Sequence, residues 1–490
     1  MRAGILERLE AVLDASGIAP LIEARLPTGV RPRQLSVRTL LLGVLLVACD
    51  RRPAHLRRVH EALCGLLEED RVRLRVLADW RAGPHLLTYR QVERTFSLVA
   101  RVLGPEDETA LGGLCSALLE ASVPASLKGL SSSLAIDWTD VESYSSRRTK
   151  ASGAYADPEA SWGHRKGGGP GERDELFFGY YLSLATTVRD EGGAELPELV
   201  RAMSLSSCAL DPVLVFTGVL VGLATARPLG DVVADSGYAH RVPAHFALPL
   251  RAAGASLVMD LHPHDRGMQG TYEGTILWNG NCYCPRTPEK LFELGPLPRS
   301  AGGEQTRLHD EEADELARYK FGRICADDAD GYHRIVCPAV AGKLRCPLRA
   351  SSMALSYARP EILSPPEHPP GCCVRQTTTV PPEVNMKTRQ KHDYPSGAWR
   401  RSYARRSAVE RSNSRIKDRA TIDVARGWCR VMGRVEMSLL LVCALVVRNL
   451  DLLDSFEDGL AEADRRASKG LPQQRRRRRR SLAELAGTAS

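Results

Sequence analysis

Long apolar runs are missing from this 490-residue sequence. The two strongest, Leu40–Ala48 and Ser438–Val447, fall far short of the roughly 20 residues that cross a bilayer, which excludes a polytopic membrane protein. An apolar leader is missing as well, because Glu7, Glu10 and Asp14 occupy the place of a secretory core. Cys-x-x-Cys knuckles are absent among the thirteen cysteines. Thirteen cysteines on so long a chain do not make a small disulfide scaffold. The expected compartment is a reducing cytoplasm, where clustered cysteines read as metal ligands before disulfides. Aromatics are sparse at 6%, yet 43% of residues are apolar, which excludes a disordered or collagen-like chain. The length suits about two to four domains. The net charge is +8, and Arg475–Arg480 supply six positives, so the rest of the chain is close to balanced.

Composition and periodicity divide the chain into five stretches. Residues 1–126 read as helical, with three- and four-residue apolar steps in Ile5–Leu13, Leu35–Cys49 and Val92–Leu103. Thr88 and Gln91 have the spacing of a capping box. Arg51, Arg52, Arg57, Arg58, Arg71, Arg73, Arg75 and Arg81 make this a candidate DNA-end-binding domain. No helix-turn-helix signature is evident, and a solvated helical bundle has the same pattern.

Residues 127–261 predict strands at Ser133–Trp138, Leu176–Thr187, Leu199–Ser206, Asp231–Ala234 and Ser256–Leu261. Helices are expected at Asp211–Ala226, capped by Asp211 with Pro212 first, and at His240–Ala253. Ser161–Glu175 reads as a loop. This is an α/β pattern with a mixed sheet. Residues 262–395 are rich in Pro and Cys, with one helical piece at Glu311–Tyr319, and read as an insertion. Residues 396–455 return to helix over Ala398–Asp418 and Ile422–Leu453, and 456–490 read as a basic disordered tail.

Asp137 and Asp235 each close a predicted strand, where side chains project beyond the sheet. Either alone reads as a turn or cap residue; together they suggest a metal site. Asp140 and Asp231 are the neighbouring acids that a register error would substitute. On an ideal helix at about 100° per residue, Tyr403, Arg406, Glu410 and Lys417 fall within roughly a 60° arc. Nine cations and three acids lie between Lys391 and Ala420. One carboxylate on a phosphate-attracting face suits a divalent cation beside DNA; a solvated basic helix with Glu410 as an internal ion-pair partner is the plainer account. His262 and His264 resemble a metal pair, for which a loop after a strand is the plainer account. Cys284, Cys337, Cys346 and Cys372 could hold a structural zinc, with buried free thiols or a disulfide as the other arrangements.

The run Tyr403-x2-Arg406-x3-Glu410-x6-Lys417 resembles the signature of one branch of the bacterial DDE insertion-sequence transposases. The acids in AIDWTD and VVADSGYAH are similar to that family's first and second catalytic Asp. The resemblance covers about residues 131–418, including a gap of 175 residues between Asp235 and Glu410. It implies a ribonuclease H-like mixed sheet flanked by helices, with an inserted β-rich or irregular domain before the catalytic Glu. The cysteines of the insertion have no counterpart in that pattern. Implied catalytic and metal residues are Asp137, bridging two Mg²⁺ or Mn²⁺ ions, with Asp235 and Glu410 holding one each; Tyr403, Arg406 and Lys417 would bind DNA phosphates. Implied partners are double-stranded DNA, as terminal inverted repeats and target, and a second copy in a homodimer assembled on DNA. Implied localisation is cytoplasmic and nucleoid-associated, without a membrane. The implied reaction is phosphodiester cleavage and strand transfer. A catalytically inactive or domesticated DNA-binding descendant, or a ribonuclease H-like nuclease without strand transfer, fits the same residues.

The tail carries a prediction. Arg475–Arg480 should displace counterions from DNA without reading its sequence. Deleting the residues after Leu471 should therefore flatten the salt dependence of duplex binding; an unchanged slope in salt titrations would separate the tail from DNA.

Overall fold

The computed structural model describes residues 4–27, 33–80, 83–145, 155–165, 174–298, 300–328, 331–418, 424 and 427–472. The tail arginines 475–480, Arg81, and residues 166–173 of the expected loop lie outside them. The chain is mixed α/β.

The N-terminal stretch is helical, as its periodicity predicts, with helices at Ile5–Ser16, Val37–Cys49 and Tyr89–Leu103 among others. Thr88 and Gln91 do form a capping box, in which the Thr88 N–H donates to Gln91 Oε1 at 2.8 Å. A short hairpin, β1 (Leu77–Trp80) and β2 (Gly83–Leu86), interrupts the helices. Four-residue strands are too short for a period-two pattern to stand out in sequence.

Six strands then build the main sheet: β3 (Leu134–Glu142), β4 (Ser161–Arg165), β5 (Glu175–Thr187), β6 (Val200–Ser207), β7 (Asp231–Ala234) and β8 (Ser256–Met259). β5 pairs antiparallel with β3, β4 and β6, and β3, β7 and β8 run parallel to one another. β7 is buried throughout, as an inner parallel strand should be. β4 occupies the start of the expected loop, and β3 runs four residues past Trp138. Close pairing explains Gly179 on β5: a Cβ there would sit 2.1 Å from the Val141 carbonyl oxygen.

Alternation sorts the sheet residues onto two faces. Leu134, Ile136, Val232, Ala234 and Leu257 pack under helix Pro212–Ala224. Asp211 caps that helix as expected, accepting from the Val213 N–H at 3.1 Å. Ala135, Val233 and Val258 face the other way, into a core shared with the N-terminal helices, helix Ser407–Ile416 and the last helix. The predicted helix at His240–Ala253 breaks into a 3₁₀ turn, Pro243–His245, and a short helix, Ala247–Ala252. Pro243 and Pro249 each remove a backbone donor there.

Residues 262–395 carry two three-stranded sheets, β9 (Met268–Tyr272), β10 (Thr275–Trp278) and β11 (Asn281–Tyr283), then β12 (Gly322–Arg323), β13 (His333–Val336) and β14 (Thr377–Val380). Helix Gly303–Tyr319 between them is longer than its sequence pattern suggests. A separate hydrophobic cluster is made wholly of residues from 277 to 380.

The last helix is Arg434–Ser468, so it starts after, and ends well beyond, the expected Ile422–Leu453. Among the described residues no helix is long and apolar enough to cross a membrane. Its first half is buried on all sides, including Asn449. Asn449 Oδ1 accepts from the Val200 N–H at 2.9 Å, while Nδ2 donates to the Val200 carbonyl at 2.8 Å and to Ser122 Oγ at 2.9 Å. One amide thus takes the place of a further strand along β6. Asn449→Ala should cost roughly 2–4 kcal/mol, because the Val200 groups lose their partners inside the core. Urea unfolding would check this, with a loss under about 0.5 kcal/mol counting against it.

Candidate active site

Asp137 lies within β3 rather than at its end, because that strand extends to Glu142. β7 ends earlier. The parallel register sets Leu134 beside Val232 and Ala135 beside Val233. Carried forward two residues, it brings Asp137 level with Asp235, on the same face by alternation. The sheet opens at this point, so two carboxylates stand side by side where β7 has stopped.

Asp235 is oriented by its own backbone. It caps the turn Ser236–Ala239, and its Oδ1 accepts from the N–H groups of Gly237 at 2.9 Å and Tyr238 at 3.2 Å. Oδ2 is left facing the cleft. Gly237 has to be glycine, since a Cβ would lie 2.5 Å from the Trp138 ring. Trp138 packs on Tyr238, ring centroids 4.8 Å apart, and locks the residue beside one acid to the turn that holds the other.

The third acid arrives on a segment that is not one continuous helix. Helix Gly397–Tyr403 passes into a 3₁₀ turn, Ala404–Arg406, and then into helix Ser407–Ile416, with Lys417 as its C-cap. Three residues per turn align Tyr403 and Arg406. Arg406 Nη1 donates to Glu410 Oε1 at 2.5 Å, while Nη2 lies 3.4 Å from Asp137 Oδ2 and 3.5 Å from Asp235 Oδ2. Arg406 therefore joins Asp137, Asp235 and Glu410, whose carboxylates do not all come within 4.8 Å of one another. Helix Ser407–Ile416 is fixed to the sheet by Ser412 Oγ against Thr186 Oγ1 at 3.1 Å and by Asn413 Nδ2 donating to Asp137 Oδ2 at 3.1 Å. Sequence reasoning missed Asn413, although its place three residues after Glu410 puts it on the neighbouring part of the same helix face.

Tyr403 stacks on Trp399 at 4.9 Å and 13°, and the Trp399 indole N–H donates to the Met259 carbonyl at 2.9 Å, at the end of β8. Burial pushes the Tyr403 phenol up, against the pull of Arg406, so it stays protonated at neutral pH. Lys417 goes elsewhere. The broken helix turns it along β3, where Nζ meets Asp140 Oδ1 at 2.7 Å. Asp140 also accepts from Arg165 Nε at 2.9 Å. Burial would raise the Asp140 carboxyl, but these two cations hold it below its ordinary value. Asp231 sits at the far end of β7 and is taken by Lys391 at 2.9 Å and Arg405 at 2.7 Å. Neither neighbouring acid joins the cluster.

Two other sequence candidates are placed differently. Among the described residues, His240, His262 and Asp265 alone bring three potential ligand atoms within 4.8 Å of one another. Asp265 is already engaged by His240 at 3.0 Å and Lys387 at 2.7 Å, and His264 packs edge-on against His262 at 4.9 Å. Cys284, Cys337, Cys346 and Cys372 are buried free thiols. Cys372 Sγ lies 4.0 Å from Cys373 Sγ, but no three sulfurs among the described residues come within 4.8 Å of one another. Cys284, Cys337, Cys346, Cys372 and Cys373 nonetheless gather in one cluster, within electrostatic reach of one another.

No protein-family model matches the chain, and no curated protein matches it in sequence.

Electrostatics single out Asp137. Burial pushes its carboxyl up to about 6; Arg406 opposes this, and Asp235 and Glu410 add to it. A carboxyl raised in the folded state favours folding fully below its unfolded value, and that contribution is lost as pH rises to about 6 and beyond. Asp137→Asn should remove the dependence and stabilise the metal-free protein at pH 7 by roughly 1–3 kcal/mol. Denaturant titrations of both proteins between about pH 4 and 7 would check it; a variant less stable at pH 7 would contradict it.

Proposed function

We propose that the chain is a DDE-type DNA transposase, cutting and joining phosphodiester bonds with Asp137, Asp235 and Glu410. The observation that carries this reading is the contact of all three carboxylates with one guanidinium, Arg406, from positions separated by 98 and 175 residues of sequence. The sheet supports it, with antiparallel strands followed by a parallel pair, as does the late helix bringing the third acid, both features of a ribonuclease H-like arrangement.

The donor type, hard carboxylate oxygen, is the kind that magnesium takes. Three carboxylates offer hard oxygen ligands, and their shared contact with one guanidinium marks a place that demands positive charge. Bound there, two divalent ions would activate an attacking oxygen and stabilise the leaving one. The chain's own groups do the rest. Asp235 is pre-aimed by its turn, and Asn413 holds Asp137 toward the cleft. Arg406, once the carboxylates are otherwise neutralised, is free to hold a backbone phosphate. Lys417 and Arg165 add positive charge along β3. Tyr403, protonated and stacked, offers a hydrogen bond rather than a nucleophile. Double-stranded DNA, a dimer assembled on it and a nucleoid location belong to the same reading.

Asp137→Asn, Asp235→Asn and Glu410→Gln should each lower Mg²⁺-dependent cutting of element-end DNA by at least about 100-fold. Duplex binding should survive, since phosphate contacts come from other residues. Cutting assays beside gel-shift titrations would read both; a Glu410→Gln protein that cuts normally would sink the proposal.

A further inference from the structure

A second charged site lies between the last helix, the N-terminal helices and Arg415 of helix Ser407–Ile416. The last helix presents Ala444, Val447, Arg448 and Asp451 in one stripe to a cavity of about 290 Å³. Ala48 and Arg51 line it from the N-terminal helices, and Arg415 from the helix that carries Glu410. The floor is apolar and the charge is almost all of one sign.

Arg448 is only 6% exposed, and neither Nη atom has a hydrogen-bond partner. Burial, with Arg415 close by, pulls its guanidinium down to about 10. Nearby acids are committed elsewhere. Asp451 pairs with Arg51 at 2.8 Å, and Glu198, within electrostatic reach of Arg448, accepts from Arg411 Nε at 2.9 Å. A buried guanidinium beside a second one, with both donors idle, is costly unless an anion completes it. Its flat pair of N–H groups matches two oxygens of a tetrahedral oxyanion. The volume is near the lower end for small-molecule pockets, about 300 Å³, which suits one phosphate and little more.

We propose that this cavity is a phosphate-binding site in which Arg448 grips two oxygens beside Arg415, with the Arg51–Asp451 pair at its wall. The phosphate can come free from solution or from a nucleic-acid backbone. The proposal does not depend on the transposase reading; only the backbone source does, and it would make the site a DNA anchor away from the cutting cleft.

Thermal unfolding of the full chain in inorganic phosphate, against chloride at equal ionic strength, tests the site. Salt titrations of duplex binding distinguish the source. Wild-type protein should gain a saturable rise in Tm with phosphate. Arg448→Met should raise Tm without phosphate, because it removes a buried unpaired charge, and should abolish the phosphate response. Arg448→Lys keeps the charge and covers the case of a misfolded Met variant; it should weaken the response at least about tenfold, for want of the fork. A duplex salt slope reduced by about one in Arg448→Met assigns the site to backbone phosphate; an unchanged slope with a phosphate-dependent Tm assigns it to free phosphate. Both support the proposal. A phosphate response equal in all three proteins, or none in wild type together with an unchanged duplex slope in the variants, would overturn it. Mg²⁺-dependent cutting is read separately, so loss of one reading leaves the other intact.

Discussion

Carboxylates taken out of water beside one another repel, and this repulsion constrains the centre of the molecule. Asp137 and Asp235 are side by side because two parallel strands share a register, and Glu410, on a helix from far along the chain, reaches the same guanidinium from the exposed side. Arg406 offsets the repulsion by touching all three. The compensation is partial, since the Asp137 carboxyl still stands near 6. A site left short of positive charge is poorly satisfied alone and well suited to cations. The strain in its electrostatics and its proposed chemistry have one origin.

The surrounding packing serves that alignment. Asp235 is aimed by its own N–H contacts, which require Gly237, and Trp138 fills the space a side chain there would take. Helix Ser407–Ile416 lies on the same sheet face as the acids, with Asn413 reaching Asp137 directly. Just before it, Arg405 is buried against Asp231 at 2.7 Å, and Lys391 reaches Glu191 at 3.3 Å as well as Asp231. This ion network clamps the start of the segment to the end of β7 opposite Asp235. Breaking one partner would leave a buried charge, which is why such networks hold position better than they add stability.

The chain's two arginine-centred sites contrast. Arg406 has three acids for one guanidinium; Arg448 has none within hydrogen-bond reach. Both are buried charges in the wrong balance for a self-contained protein, one short of cations and the other short of an anion.

Local features were legible in the sequence. The apolar run before Asp137, the four-residue strand before Asp235, the Asp211 cap and the Thr88 capping box each depend on neighbours within about four residues. The candidate acids could be named for the same reason, with a resemblance to join them. What was not legible depended on partners far away in sequence. Ideal helix geometry put Lys417 with Glu410, but a 3₁₀ turn and the C-cap sent it to Asp140, 277 residues earlier. Asp231 and Asp235 stand at opposite ends of β7, and the first is taken up there by Lys391 and Arg405 from far along the chain. Cys284, Cys337, Cys346 and Cys372 come from turns and a short helix far apart in sequence, and only the fold gathers them into one cluster. Arg448 interrupts an apolar helix, and only the fold shows that it is buried with neither Nη atom partnered. Backbone preference is set by nearest neighbours, so the sequence determined the elements and the residues capable of chemistry. Which charge meets which is set by where distant segments pack, so only the tertiary structure decided the site.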